Sequence, residues 1–123
     1  MEKREILIID DDARNIFALS LVLKSKGYSV HSATEARKGI SMLQENKNIG
    51  IVLLDMMMPE MDGYQALGHM REMEHTRSLP IIAVTAQAMP GDKEKCIETG
   101  ASDYISKPIN VDKLDVLLKQ YLN

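Results

Sequence analysis

Three short apolar runs punctuate the chain: residues 6–9 (ILII), 51–54 (IVLL) and 81–84 (IIAV). Each is rich in β-branched or branched aliphatic side chains, the pattern of a strand buried on both faces. Two weaker stretches, 28–32 (YSVHS) and 103–106 (DYIS), mix polar and apolar residues as edge strands do. Between these runs the apolar period changes to that of a helix. Ala36, Ile40 and Leu43 recur on one face, as do Ala66, Met70 and Met73, and then Leu114, Leu117, Leu118 and Tyr121. Residues 13–26 are apolar nearly all round, with Ile16, Leu19 and Leu23 on one stripe, while 90–99 (PGDKEKCIET) carries only a thin stripe. Gly27 and Gly100 stand where helices stop, and Pro90 and Asn110 where they start.

The pattern predicts five strands and five helices in strict alternation, over a single domain spanning 1–123. Short connections and right-handed crossovers turn that alternation into a parallel sheet covered on both faces. The three apolar strands belong in its centre and the two weaker ones at its edges. The order 2-1-3-4-5 satisfies this. The predicted class is therefore α/β, a doubly wound (βα)5 sheet of the flavodoxin-like kind. In that order strands 1 and 3 are neighbours and the chain reverses direction between them. Ligands of such sheets bind outside the carboxyl ends of the strands at that crevice.

Composition adds exclusions. A length of 123 residues with 45% apolar and 27% charged residues suits a globular core. A formal net charge of −3 and the lack of a basic stripe argue against direct nucleic-acid binding. No apolar run approaches a membrane span, and four apolar residues after the N-terminus are too few for a signal-peptide core. The lone Cys96 forms no internal disulfide and reads as a packing residue. A cytoplasmic location is expected.

Acidic residues gather at the predicted crevice. Asp10, Asp11 and Asp12 end strand 1, and Asp55 ends strand 3. Asp12 reads as the cap of the next helix. The other three would repel one another unless a hard cation with oxygen ligands joins them. Mg²⁺ suits such a site, because it accepts one or two carboxylates together with waters and phosphate oxygens. Thr85, just past strand 4, offers a hydroxyl, and Lys107, just past strand 5 and before Pro108, a compact positive charge for a phosphate.

The motifs IIDDD (8–12), LLDMMMPEMDG (53–63), AVTA (83–86) and SKP (106–108) occur in this order over nearly the whole chain. The chain resembles the receiver domain of two-component response regulators and hybrid histidine kinases. By this resemblance Asp55 is the phosphoacceptor. Asp11 holds Mg²⁺ directly, Asp10 through water, and the backbone carbonyl of Met57 is a further ligand. Lys107 contacts the phosphoryl group, and the Thr85 hydroxyl and the Ala86 N–H take its remaining oxygens. Tyr104 resembles the family's aromatic switch residue, and Lys107–Pro108 its cis peptide. The resemblance also implies a partner, a sensor histidine kinase or histidine phosphotransfer domain, and a readout through the face made by helix 4, strand 5 and helix 5. It implies no turnover enzyme. DMMMPEMDG and IIAVTAQAM look most like receivers of hybrid kinases and phosphorelays.

Other residues are read more plainly. Met56, Met58 and Met61 suit gap filling. Met57 should lie beside the phosphoryl group, where an apolar side chain cannot orient an attacking water, a role Gln87 could partly restore. His31, His69 and His75 form no ligand-spaced group. Two alternatives stand beside the main reading. A haloacid-dehalogenase-like phosphatase shares an Asp-x-Asp pair after strand 1, but Arg14 departs from its pattern and no late acid pair follows Lys107. A phosphorylation-independent pseudo-receiver usually lacks a key residue, and this chain lacks none.

Overall fold

The computed structural model describes residues 5–58, 61–86 and 91–122. Five strands, β1 (Glu5–Ile9), β2 (Ser29–Ala33), β3 (Ile49–Asp55), β4 (Ile81–Thr85) and β5 (Asp103–Ser106), form one sheet. Five helices follow them in turn: α1 (Ala13–Ser25), α2 (Ala36–Glu45), α3 (Gly63–Glu72), α4 (Asp92–Thr99) and α5 (Val111–Leu122). Every pairing is parallel and the order is β2-β1-β3-β4-β5, as the apolar pattern predicts. Each residue of β3 is buried, whereas Ala33 is the one buried residue of β2. The fold is flavodoxin-like, with β1 and β3 adjacent.

Alternation along the strands divides the core. Leu7, Ile9, Val52, Leu54, Ile81 and Ala83 pack under α2, α3 and α4, with Leu43, Leu67, Met70 and Cys96. Ile6, Ile8, Ile51, Leu53, Ile82 and Val84 pack under α1 and α5, with Ile16, Leu23, Leu114 and Leu118. Helix α1 buries only Ile16 and Leu23, and Phe17 and Leu21 face solvent. Helix α4 buries Cys96 alone, so the thin stripe read in the sequence is a thin contact in the fold. The expected packing role of Cys96 is met, with its Sγ 3.8 Å from the Tyr64 hydroxyl.

The element ends follow local chemistry. Asp12 caps α1, its side chain accepting from the Arg14 N–H. Asp62 and Gln65 form a reciprocal capping box on α3. The Asn110 side chain accepts from the Lys113 N–H at the start of α5. Gly27 and Gly100 adopt φ of 95° and 130° after α1 and α4, a region that side chains disfavour. Gly91 precedes α4, and Pro90 lies outside the described residues.

Three features depart from the expected pattern. Strand β3 begins at Ile49, where the register jumps from Glu5↔Ile49 to Ile6↔Ile51 and leaves Gly50 as an extra residue. A glycine at a bulge has no side chain to misplace. Strand β2 ends one residue late, at Ala33, and Tyr28 is a buried core residue ahead of it. A one-turn 3-10 helix, Glu74–Thr76, follows α3.

Candidate functional site

Backbone bonds carry the sheet past its strand ends and fix the carboxyl edge. The Asp10 N–H donates to the Ala33 carbonyl at 3.1 Å, Met56 N–H to Val84 at 2.9 Å and Lys107 N–H to Thr85 at 2.7 Å. Asp10, Asp55, Thr85 and Lys107 are thus held on four different strand ends. Gly63 lets α3 begin directly against the end of β3. A Cβ there would lie 2.5 Å from the Met56 Cα, leaving no room for a side chain.

The acids converge as the sequence predicts. Oxygen atoms of Asp10, Asp11 and Asp55 lie within 4.8 Å of one another. Asp10 and Asp55 are buried and Asp11 is exposed, so the cluster opens to solvent on the Asp11 side. The Asp10 Oδ1 accepts from the Asp12 N–H at 2.9 Å. Its Oδ2 accepts from Lys107 Nζ and from Asn15 Nδ2, each at 3.2 Å. The Asp55 Oδ1 accepts from the Met57 N–H at 3.0 Å, and its Oδ2 lies 3.5 Å from Lys107 Nζ.

These contacts do not fully offset the cost of crowding. Burial pushes the Asp55 carboxyl above the ordinary aspartate pKa; the Met57 N–H opposes that, and the Asp10 charge adds to it. Burial disfavours the Lys107 ammonium, but Asp55 and Asp10 together outweigh it and hold its pKa above the ordinary lysine value. Two buried acids against one lysine leave a site with spare negative charge and only oxygen ligands. Such a donor set fits a small hard cation such as Mg²⁺.

The other expected residues divide. Thr85 is the last residue of β4, buried, and in register with Ser106 of β5. Ala86 follows it and is exposed. Gln87 lies outside the described residues. The Lys107–Pro108 peptide is cis. Tyr104 is not in the acid cluster: it pairs with Ala83 and packs, half-buried, against the core beneath α3 and α4. The Met57 side chain is 69% exposed, while Met56 and Met58 on either side are buried. His31 and Asn46 both reach the Glu5 carboxylate, at 2.7 and 3.0 Å, and His75 Nε2 donates to the Leu43 carbonyl at 3.0 Å. Sequence reading missed Asn15. Its position in the first turn of α1, three residues after the cap, was the available signal.

The family model described as the response regulator receiver domain matches residues 6–119. The chain belongs to this family. The receiver domain is 37% identical to part of the sensor histidine kinase RcsC of Escherichia coli, over 94% of this chain but only 12% of that protein. It is 34% identical to a 14.6 kDa protein of Leptolyngbya boryana, covering 98% of this chain and 92% of the relative. Among solved structures it resembles the receiver domain of a Pseudomonas aeruginosa sensor histidine kinase, with TM-score 0.88, 32% identity and 97% of each chain covered. That neighbour holds a magnesium ion in its active-site cleft. The chain spans between 7% and 12% of the kinases it matches here. No helix among the described residues is long and apolar enough to cross a membrane.

Proposed function

We propose that this receiver domain accepts a phosphoryl group on Asp55 from a phosphohistidine of a sensor kinase or phosphotransfer domain. The carrying observation is the junction of three carboxylates and Lys107 at the ends of β1, β3 and β5. In the reaction an Asp55 oxygen forms a P–O bond as the P–N bond of the donor breaks, and the electron pair returns to the imidazole. The Met57 N–H, on Oδ1, orients the carboxylate so that Oδ2 is the attacking atom. Asp10, Asp11, Asp55 and the Met57 carbonyl would hold Mg²⁺, which supplies charge stabilisation on the transferring group. Lys107 moves from the carboxylates to a phosphoryl oxygen. The Thr85 hydroxyl and the Ala86 N–H take the others.

Positioning and charge account for most of such a transfer, so a weak carboxylate nucleophile suffices. The product acyl phosphate is hydrolysable and the mark temporary. The apolar, exposed side chain of Met57 cannot orient water against it, which favours a long lifetime. Thr85 then draws toward the phosphoryl group, Tyr104 turns inward, and the α4–β5–α5 face changes. The test is ³¹P NMR of the protein with acetyl phosphate. A new acyl phosphate signal, at one per chain, labile to hydroxylamine and absent when Mg²⁺ is chelated beforehand, supports the proposal. A hydroxylamine-stable adduct, or continuous turnover of phosphate esters, contradicts it.

A further inference from the structure

The Asp10 carboxylate receives three donors, two of them on one oxygen. Its Oδ1 accepts from the Asp12 N–H, and its Oδ2 accepts from both Lys107 Nζ and Asn15 Nδ2, each at 3.2 Å. The two differ in their other duties. Lys107 is shared with Asp55; a phosphoryl group would draw it away from Asp10, and an entering cation would compete with it for the carboxylates. Asn15 is neutral and sits in the first turn of α1, and among the described hydrogen bonds its side-chain amide serves Asp10 alone. Both residues line one cavity of about 560 Å³ between α1 and the loop before α5.

We propose that Asn15 is a positioning residue that keeps Asp10 Oδ2 satisfied when Lys107 leaves it. This rests on the phosphoacceptor reading above, which requires Lys107 to turn toward the phosphoryl group. A buried carboxylate stripped of its ammonium would otherwise be left partly unpaired, and that penalty would fall on every state in which Lys107 has moved. With Asn15 in place the penalty is reduced, because its amide already stands at the same oxygen. In the resting site the two donors share Oδ2, so loss of Asn15 still leaves that oxygen bonded to Lys107. Its contribution therefore grows along the reaction, which is the condition for aiding a step rather than only the fold.

The test is a double-mutant cycle of Asn15→Ala and Lys107→Met, read by thermal unfolding without divalent cations, beside calorimetry of Mg²⁺ binding. With Lys107 present, Asn15→Ala should shift the melting temperature by no more than about 2 °C. In the Lys107→Met background the same change should lower it by roughly 3–6 °C, because Oδ2 then loses both of its protein donors. Asn15→Ala should also weaken Mg²⁺ binding roughly 3–10-fold, and Asn15→Gln should restore it. Equal melting shifts in both backgrounds would overturn the proposal, as would Mg²⁺ affinity unchanged by Asn15→Ala. A wild-type protein that binds no Mg²⁺ contradicts the phosphoacceptor reading instead, and the melting cycle still decides the role of Asn15.

Discussion

The Lys107 ammonium stands 3.5 Å from the Asp55 carboxylate and does not bring its pKa down to the ordinary aspartate value. Burial comes first among the causes and Asp10 adds to it. A carboxyl whose folded-state pKa exceeds its unfolded one favours folding when protonated. That contribution is complete below the unfolded value of about 3.9 and is lost as pH rises through the folded pKa. The metal-free protein should therefore melt higher as Asp55→Asn than as wild type at pH 7. The gap should narrow as pH falls to about 3.5. Thermal unfolding across that range checks both parts. A mutant less stable at neutral pH would mean that Lys107 outweighs the crowding.

The same crowding should make the fold responsive to cation. If Mg²⁺ binds the acids, a tenfold excess over its dissociation constant adds about 1.4 kcal/mol of stability. That corresponds to a rise in melting temperature of roughly 3–6 °C. Asp11→Ala should abolish the rise while leaving the sheet intact by circular dichroism. Equal rises in both proteins would place the cation elsewhere.

Away from the site, Arg71 ties two loops together. Its guanidinium donates to the carbonyls of Gly100, Thr76, Arg77 and Leu79 at 2.8–3.1 Å. It also reaches the Ser102 hydroxyl at 3.4 Å. Arg71→Met leaves those carbonyls to find water, at a cost of about 2–3 kcal/mol. Urea titration should show a lower midpoint with an unchanged slope. Arg71→Lys should recover only part, because a point charge cannot serve a fork of acceptors.

The proposed relay runs through Thr85. Asp55 pairs in register with Val84, and Thr85 with Ser106, so the threonine stands between the acid cluster and the strand that carries Tyr104. Of the five α-helices α4 buries the fewest residues, Cys96 alone. Treated with beryllofluoride, the wild type should show amide NMR shifts extending from Asp55 through 91–106. Thr85→Ala should keep the shifts near Asp55 and lose most of the remote ones. Identical remote shifts in the mutant would route the switch through Lys107 or the loop after Asp55.

The architecture was legible because strands and helices differ in period, and because burial on two faces leaves runs as distinct as ILII and IIAV. The site was legible for a related reason. Asp10, Asp55 and Thr85 end or follow an apolar run and Lys107 follows the weaker strand 103–106, and a parallel sheet brings all such ends to one edge. What stayed hidden depends on side-chain reach rather than period. An arginine near the end of α3 reads as solvated, and only the folded chain places carbonyls from residues 76–100 around Arg71. Asn15 reads as an ordinary helix residue until Asp10 is fixed beside it. The bulge at Gly50 starts β3 at Ile49, two residues ahead of the apolar run that begins at Ile51.

Intact-mass spectrometry of the protein incubated with acetyl phosphate and Mg²⁺, run beside Asp55→Asn, tests the central assignment most directly. The wild type should gain a single increment of about 80 Da, one phosphoryl group in place of a proton, and peptide mapping should put it on Asp55. The mutant should gain none. An increment that persists in Asp55→Asn, or that maps to another residue, would contradict the assignment of Asp55 as phosphoacceptor.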